Sequence, residues 1–243
     1  MTCQGFCKSC QKVHSLGSEE SSEQAQLLMS KLREHKRVDF DSANAEVTFS
    51  TDYLYGPAKG QMFAVMTCLN ADGEIVTLKA FSGQYNGQWI IPGWVPPIID
   101  RNKYNDIMIP GDKTIKGYGA KMKSLTKGSC DYLSLKKERK ECSKNLMKQI
   151  HGLYRLYNFK GQSSSLEKAF IYEKGIPTGT ADCCAPKLLN FAAKMKYRPL
   201  SISEFYWGKT NASGSKLEGE FYDSCEEKCQ PILGFLLCGL DDE

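Results

Sequence analysis

Gly175-Ile-Pro-Thr-Gly-Thr-Ala-Asp-Cys-Cys-Ala-Pro-Lys-Leu-Leu189 is the stretch whose reading decides the fold. Its glycines and prolines enforce a tight approach, two adjacent cysteines follow, and Pro186 suits the first turn of a helix, where a missing N–H costs nothing. The next residues, Lys187 to Lys196, form that helix. Leu200 to Tyr206 alternates as a strand, and Cys225-Glu-Glu-Lys-Cys229 opens an apolar run, Pro231 to Leu240, that reads as a buried helix. Upstream, the apolar segment Gln61 to Leu69 and the segment Glu74 to Ser82 flank the turn Asn70-Ala-Asp-Gly73, which predicts a β-hairpin. The order hairpin, helix, strand, helix gives an α/β (α+β) fold: a small mixed sheet with flanking helices.

Working outward, Glu23 to Glu34 has helical spacing of Ala25, Leu28, Met29 and Leu32. Val38 to Thr51 reads as a strand, and Gln88 to Ile91 as a third short one. The glycine- and lysine-rich segment 100–130 reads as an irregular basic loop. Tyr132 to Tyr157 is expected to be one long amphipathic helix, and Ser165 to Tyr172 a short one. Two units are expected: a Cys/His-rich metal knuckle at 1–17, and a single domain at 18–243 carrying a basic insertion at about 101–160.

The composition narrows the class. A chain of 243 residues can bury a core without disulfide staples. Its 12 Tyr, 11 Phe and 3 Trp exclude a wholly disordered chain. No run of about 18 apolar residues predicts a membrane span. The polar, cysteine-bearing start is unlike a signal peptide, so a cytoplasmic protein with no membrane partner is expected. Eleven cysteines, an odd number, then point to metal or redox chemistry rather than a disulfide framework.

Charge is uneven. Residues 101–160 hold 15 Lys/Arg against 5 Asp/Glu, whereas the flanking thirds are mildly acidic. Such a block attracts a polyanion, so RNA (tRNA or rRNA) is the expected partner, through Lys136, Lys137, Arg139 and Lys140. A solvated lysine-rich helix is the other reading.

Two cysteine groups are candidate metal sites, with zinc as the expected cofactor. The C-terminal group is Cys183, Cys184, Cys225 and Cys229, each near a helix start where the dipole and unpaired N–H groups favour thiolates. Asp182 and Glu204 are the candidate catalytic acids beside it. Small buried thiols in a tight turn, or a redox pair, are the alternatives. The N-terminal group is Cys3-x3-Cys7-x2-Cys10-x3-His14. Its density suits structural zinc, its first three cysteines have the spacing of an iron–sulfur motif, and an unliganded tail is also compatible.

The element order resembles the zinc-dependent cytidine-deaminase fold, in which a His or Cys at one helix start and two Cys at the next hold the metal and a Glu moves protons. Here the Glu of that motif is replaced, since the string reads Cys184-Ala-Pro186, and the second pair is Cys-x3-Cys. Several strings also resemble the region ahead of the catalytic domain in some bacterial RNA pseudouridine synthases, and its free-standing relatives. They include Gln61-Met-Phe-Ala-Val65, Gly93-Trp-Val-Pro-Pro97, Gly179-Thr-Ala-Asp-Cys-Cys-Ala-Pro-Lys-Leu-Leu189 and Glu204-Phe-Tyr-Trp-Gly208. This resemblance implies a setting of RNA modification. It does not supply the isomerase: the His-Arg-Leu-Asp-like string is absent, and Tyr154-Arg-Leu-Tyr157 lacks the aspartate. Three functions follow: a zinc-binding, RNA-binding accessory module; a zinc-dependent deaminase-type hydrolase acting on a nucleoside or RNA base; and a pseudouridine synthase by family likeness alone.

Overall fold

The structure, a computed structural model, describes residues 1–40, 46–173 and 175–240. The hairpin read from the sequence is β3 (Gln61–Leu69) and β4 (Ile75–Phe81). Its turn is set by Asn70, whose side-chain oxygen accepts from the N–H groups of Asp72 and Glu74. Gly73 takes a positive φ of 79° there, which glycine adopts without strain. Strand β7 (Arg198–Trp207) pairs with the other edge of β3, so the sheet runs β4-β3-β7 with every neighbour antiparallel.

Strand β3 is apolar except at Gln61 and Thr67, and its central residues are buried on both faces. Ala64, Met66 and Cys68 face the core shared with helix α5 (Cys184–Met195) and helix α6 (Gln230–Leu237). Phe63 and Val65 point the other way, into an aromatic cluster with Phe81, Trp94, Phe205 and Trp207, closed by Leu28 and Leu32 of helix α1 (Ser22–His35). The period of two along one strand therefore divides the interior into an aliphatic half and an aromatic half. Cys3, Cys183, Cys184 and Cys229 lie on the aliphatic side.

Five sequence expectations are corrected. The segment 100–130 is not a loop: α2 (Arg101–Lys123) spans most of it, followed by α3 (Cys130–His151). Asp100 caps α2 by accepting from the N–H groups of Asn102 and Lys103. Gly111, a loop signal by propensity, lies where α2 meets α3, and a Cβ there would collide with Leu146. Packing overrides propensity at this point. The long helix ends at His151 rather than 157. The chain then extends, and β5 (Arg155–Tyr157) pairs with β6 (Ser163–Ser165). The next helix, α4, is a single turn (Leu166–Ala169). Val38 to Thr51 is not a strand in its described part; 41–45 lie outside the described residues. It joins Arg37 to Ser50 by one bridge and continues as 3₁₀ turns at Val47–Phe49 and Thr51–Tyr55. Gln88 makes only an isolated bridge to Tyr85.

The N-terminal residues form hairpin β1 (Cys3–Cys7) and β2 (Lys12–Leu16), laid directly on α6. Two glycines permit this approach. A Cβ on Gly5 would strike the backbone of Gly234, and one on Gly234 would strike the backbone of Phe6. Backbone against backbone, the hairpin sits low enough for the C-terminal end of α6 to reach its tip.

Candidate metal centre

That packing assembles four donors. Cys7 ends β1, Cys10 lies in the turn, His14 is in β2, and Cys238 caps the C-terminal end of α6. Their ligand atoms all lie within 4.8 Å of one another. Strand alternation explains part of this. In β1, Cys3, Gly5 and Cys7 face inward, and in β2 so do His14 and Leu16. The turn is closed by the Gln11 N–H donating to the Cys7 carbonyl, with Gln11 in the left-handed region at a φ of 56°. Cys238 is held by its own carbonyl, which accepts from the Phe159 N–H at 3.0 Å.

The spacing suits a tetrahedral ion. Cys238 Sγ and Cys10 Sγ are 3.8 Å apart. Two thiolates on one tetrahedral zinc are about 3.7 Å apart, given Zn–S bonds near 2.3 Å. Cys10 Sγ lies 3.0 Å from His14 Nε2. The thiols are unequal in acidity. Burial opposes ionisation of Cys7, but the N–H groups of Cys10 and Ser9 and the thiols of Cys10 and Cys238 outweigh it and lower its pKa. Burial, then the neighbouring Cys7, pushes Cys238 up to about 12. The four residues lie close enough to hold a metal ion.

The ligand set departs from the sequence reading at one residue. Cys3 is not part of it. Its side chain is buried beside Ser224 and Glu204, and burial raises its pKa strongly. Cys238 takes its place from 228 residues away from Cys10. Nothing local in the sequence marks Cys238, since it ends an apolar helix and reads as one more small core residue.

The C-terminal group is gathered differently. Cys183 is the N-cap of α5, and Cys229 occupies that position on α6. The Cys229 thiol hydrogen-bonds with both Cys183 and Cys225, and these contacts, with burial, raise it well above the usual range. Cys225 is exposed and goes the other way, to about 5. Its bond from Cys229 is the largest cause, followed by burial acting against it and then the N–H groups of Lys228, Cys229 and Glu227. Cys184 does not join them: it is fully buried and its thiol points at the Met62 carbonyl, 3.3 Å away. Among the described residues, Cys183, Cys184, Cys225 and Cys229 do not close into a set of donors mutually within 4.8 Å; the N-terminal tetrad does.

The two candidate acids stand apart. Glu204, opposite Ala64 on β3, is buried in a small recess that Cys3 also lines. It accepts from Ser224 Oγ at 2.6 Å and from the Ala185 N–H at the start of α5, yet burial still raises its carboxyl to about 7. Asp182 accepts from the Tyr154 hydroxyl at 2.8 Å and lines a separate cavity of about 340 Å³. Burial raises it too, opposed by Tyr154, Lys187 and Lys228. Ala181, just before it, is fully buried at a φ of 75°, a left-handed conformation that a non-glycine residue adopts under strain.

Sequence reasoning missed Lys187. It is 1% exposed, and its Nζ donates to the carbonyls of Phe81 and Gly83, both at 2.8 Å. This ammonium ties α5 to the end of β4, and burial lowers its pKa. Lys136, Lys137, Arg139 and Lys140 all lie exposed on α3, without an ion pair among the described residues.

Compared with protein-family models, curated proteins and solved structures, the chain matches none. Among the described residues, no helix is long and apolar enough to cross a membrane.

Proposed function

We propose that this chain is a zinc-stapled accessory module that binds RNA through α2 and α3 in a setting of RNA modification. The observation that carries this reading is the Cys7–Cys10–His14–Cys238 tetrad. Four protein donors leave no position open for water or substrate, which is the pattern of a structural rather than a catalytic zinc site. The ion would tie the first hairpin to the last helix. The RNA half rests on the exposed basic residues of α3, with Lys113, Lys116, Lys121 and Lys123 exposed on α2 beside it. The modification setting rests on the strings quoted from the sequence.

Metal analysis of the purified chain tests the first half. One zinc per chain, lost in Cys238→Ser and kept in Cys3→Ser, is the expected result, and a chain that binds no metal ion overturns it. Titration with single-stranded RNA at increasing salt tests the second: affinity should fall steeply with salt, and flat salt dependence overturns it.

A zinc-dependent deaminase-type hydrolase is the second reading, favoured by one observation. Glu204 takes the Ala185 N–H at the start of α5, within electrostatic reach of the thiols of Cys225 and Cys229. A carboxyl near neutrality beside such a thiol set suits proton shuttling. Ammonia release from cytidine or from cytidine-containing RNA, abolished in Glu204→Gln, supports it; no release from either substrate in the zinc-loaded protein rejects it.

A further inference from the structure

We infer that the cavity walled by Trp89, Tyr104, Met108, Met147, Tyr154 and Asp182 binds a nucleobase that carries an exocyclic amine. This deepens the RNA-binding reading and rests on it only for the source of the base. At about 340 Å³ the cavity falls at the lower end of the range for small-molecule sites, roughly 300–1,000 Å³, which suits a nucleoside better than a chain. Its wall is aromatic. Trp89 and Tyr104 meet edge to face, with ring centroids 5.4 Å apart and planes at 65°. Such rings stack on any base.

The polar groups give the pocket its preference. Asp182, part-buried in the wall, accepts from the Tyr154 hydroxyl through Oδ1. His151 Nε2, also in the wall, is buried without a partner. A buried polar atom left unpaired costs free energy that a ligand can recover. A carboxylate oxygen accepts from the amine of cytosine, adenine or guanine. Uracil offers only a ring N–H set between two carbonyl oxygens, which the carboxylate repels.

The placement ties base to backbone. Tyr104 and Met108 come from α2, and Met147 and His151 from α3, the two basic helices. Met147 and His151 also line a neighbouring cavity of about 570 Å³ whose rim holds Lys144 and Lys148, both exposed. A base seated against Trp89 would leave its phosphates beside these lysines.

Binding is measured by Trp fluorescence and calorimetry on the full chain. The probes are cytidine, adenosine, guanosine and uridine 5′-monophosphates, and ten-residue oligocytidylate and oligouridylate. The amine-bearing nucleotides should bind at least tenfold more tightly than uridine monophosphate. Asp182→Asn should erase that gap, and Thr178→Trp, at the exposed mouth, should block binding while leaving thermal stability unchanged. Equal binding of all four nucleotides, no binding of any, or an unaltered gap in Asp182→Asn overturns the proposal. Neutralising Lys136, Lys137, Arg139 and Lys140 should weaken only the oligonucleotides. If the mononucleotide preference holds but oligonucleotides bind no more tightly, the pocket stands, its ligand is a free nucleotide, and the RNA reading fails. If oligonucleotides bind with salt dependence but without base preference, the pocket falls and the RNA reading stands.

Discussion

The two ends of α6 carry cysteines in opposite situations. Cys238, at the C-terminal end, meets three donors from the first hairpin in a closed tetrad. Cys229, at the N-terminal end, meets two thiols, one of them the exposed and acidic Cys225, in a set that stays open. One eight-residue helix thus joins four donors close enough to hold an ion with an open group of thiols, one of them lowered to about 5. Cysteine count alone does not distinguish them; what does is the number of donors that backbone packing delivers to each end.

The largest expected effect breaks the closed end. Removing metal with a chelator, or replacing Cys238 by Ser, should cost about 4 kcal/mol when metal stands a thousandfold above its dissociation constant. For a chain of this size that lowers Tm by roughly 8–16 °C, read by calorimetry. Cys225→Ser should leave metal content and Tm within error, because it lies outside the tetrad.

The next effect concerns the open end. Glu204 is raised by burial from an ordinary value of 4.5 to about 7. Its folded-state pKa exceeds its unfolded one, so the folded state is favoured while the carboxyl is protonated. The penalty grows as pH rises from about 4.5 through 7. Glu204→Gln should therefore be more stable than the parent at pH 8, by up to about 3 kcal/mol, with the difference vanishing near pH 4. Denaturant unfolding at both pH values reads this directly, and equal stability at pH 8 would refute a buried, strained carboxyl.

A smaller effect contrasts thiols. The bond from Cys229 and the surrounding N–H groups lower Cys225 to about 5, and Cys130 is an exposed cysteine on α3. Alkylation by iodoacetamide should favour Cys225 by about tenfold, because its larger thiolate fraction is partly offset by lower intrinsic nucleophilicity. Peptide mapping after brief labelling measures the ratio. The smallest effect lies on α3. Each of Lys136, Lys137, Arg139 and Lys140 changed to Ala should lower the salt slope of RNA binding by about 0.7 for every phosphate that the side chain neutralises. Across a fourfold change in salt that is roughly a threefold difference in affinity for each residue.

Much of the fold was legible because its signals were local. The hairpin at 61–82, α1, α5, β7 and α6 all follow from period and punctuation within short windows. Segment 100–130 was not legible. There α2 packs on α3, with Gly111 close against Leu146, a residue far along the chain, whereas composition spoke for a loop. Tyr154, assigned to a helical stripe, instead leaves the helix and reaches Asp182. Of the four donors that come together, Cys7, Cys10 and His14 share one hairpin, so spacing finds them; Cys238 arrives from the far end of the chain, and Cys3 lies elsewhere.

The sequence by itself determined which residues are able to act: soft donors clustered at two places, a basic block, and a strand apolar on both faces. Those properties belong to side chains and to periods of two and 3.6, which neighbours along the chain already define. The tertiary structure alone decided that Cys238 and not Cys3 completes the tetrad, because Gly5 and Gly234 let the first hairpin and the last helix touch backbone to backbone. It also decided that Asp182 faces a cavity while Glu204 is enclosed. Both outcomes depend on the meeting of distant segments, whose closeness is set by packing and carries no local signature.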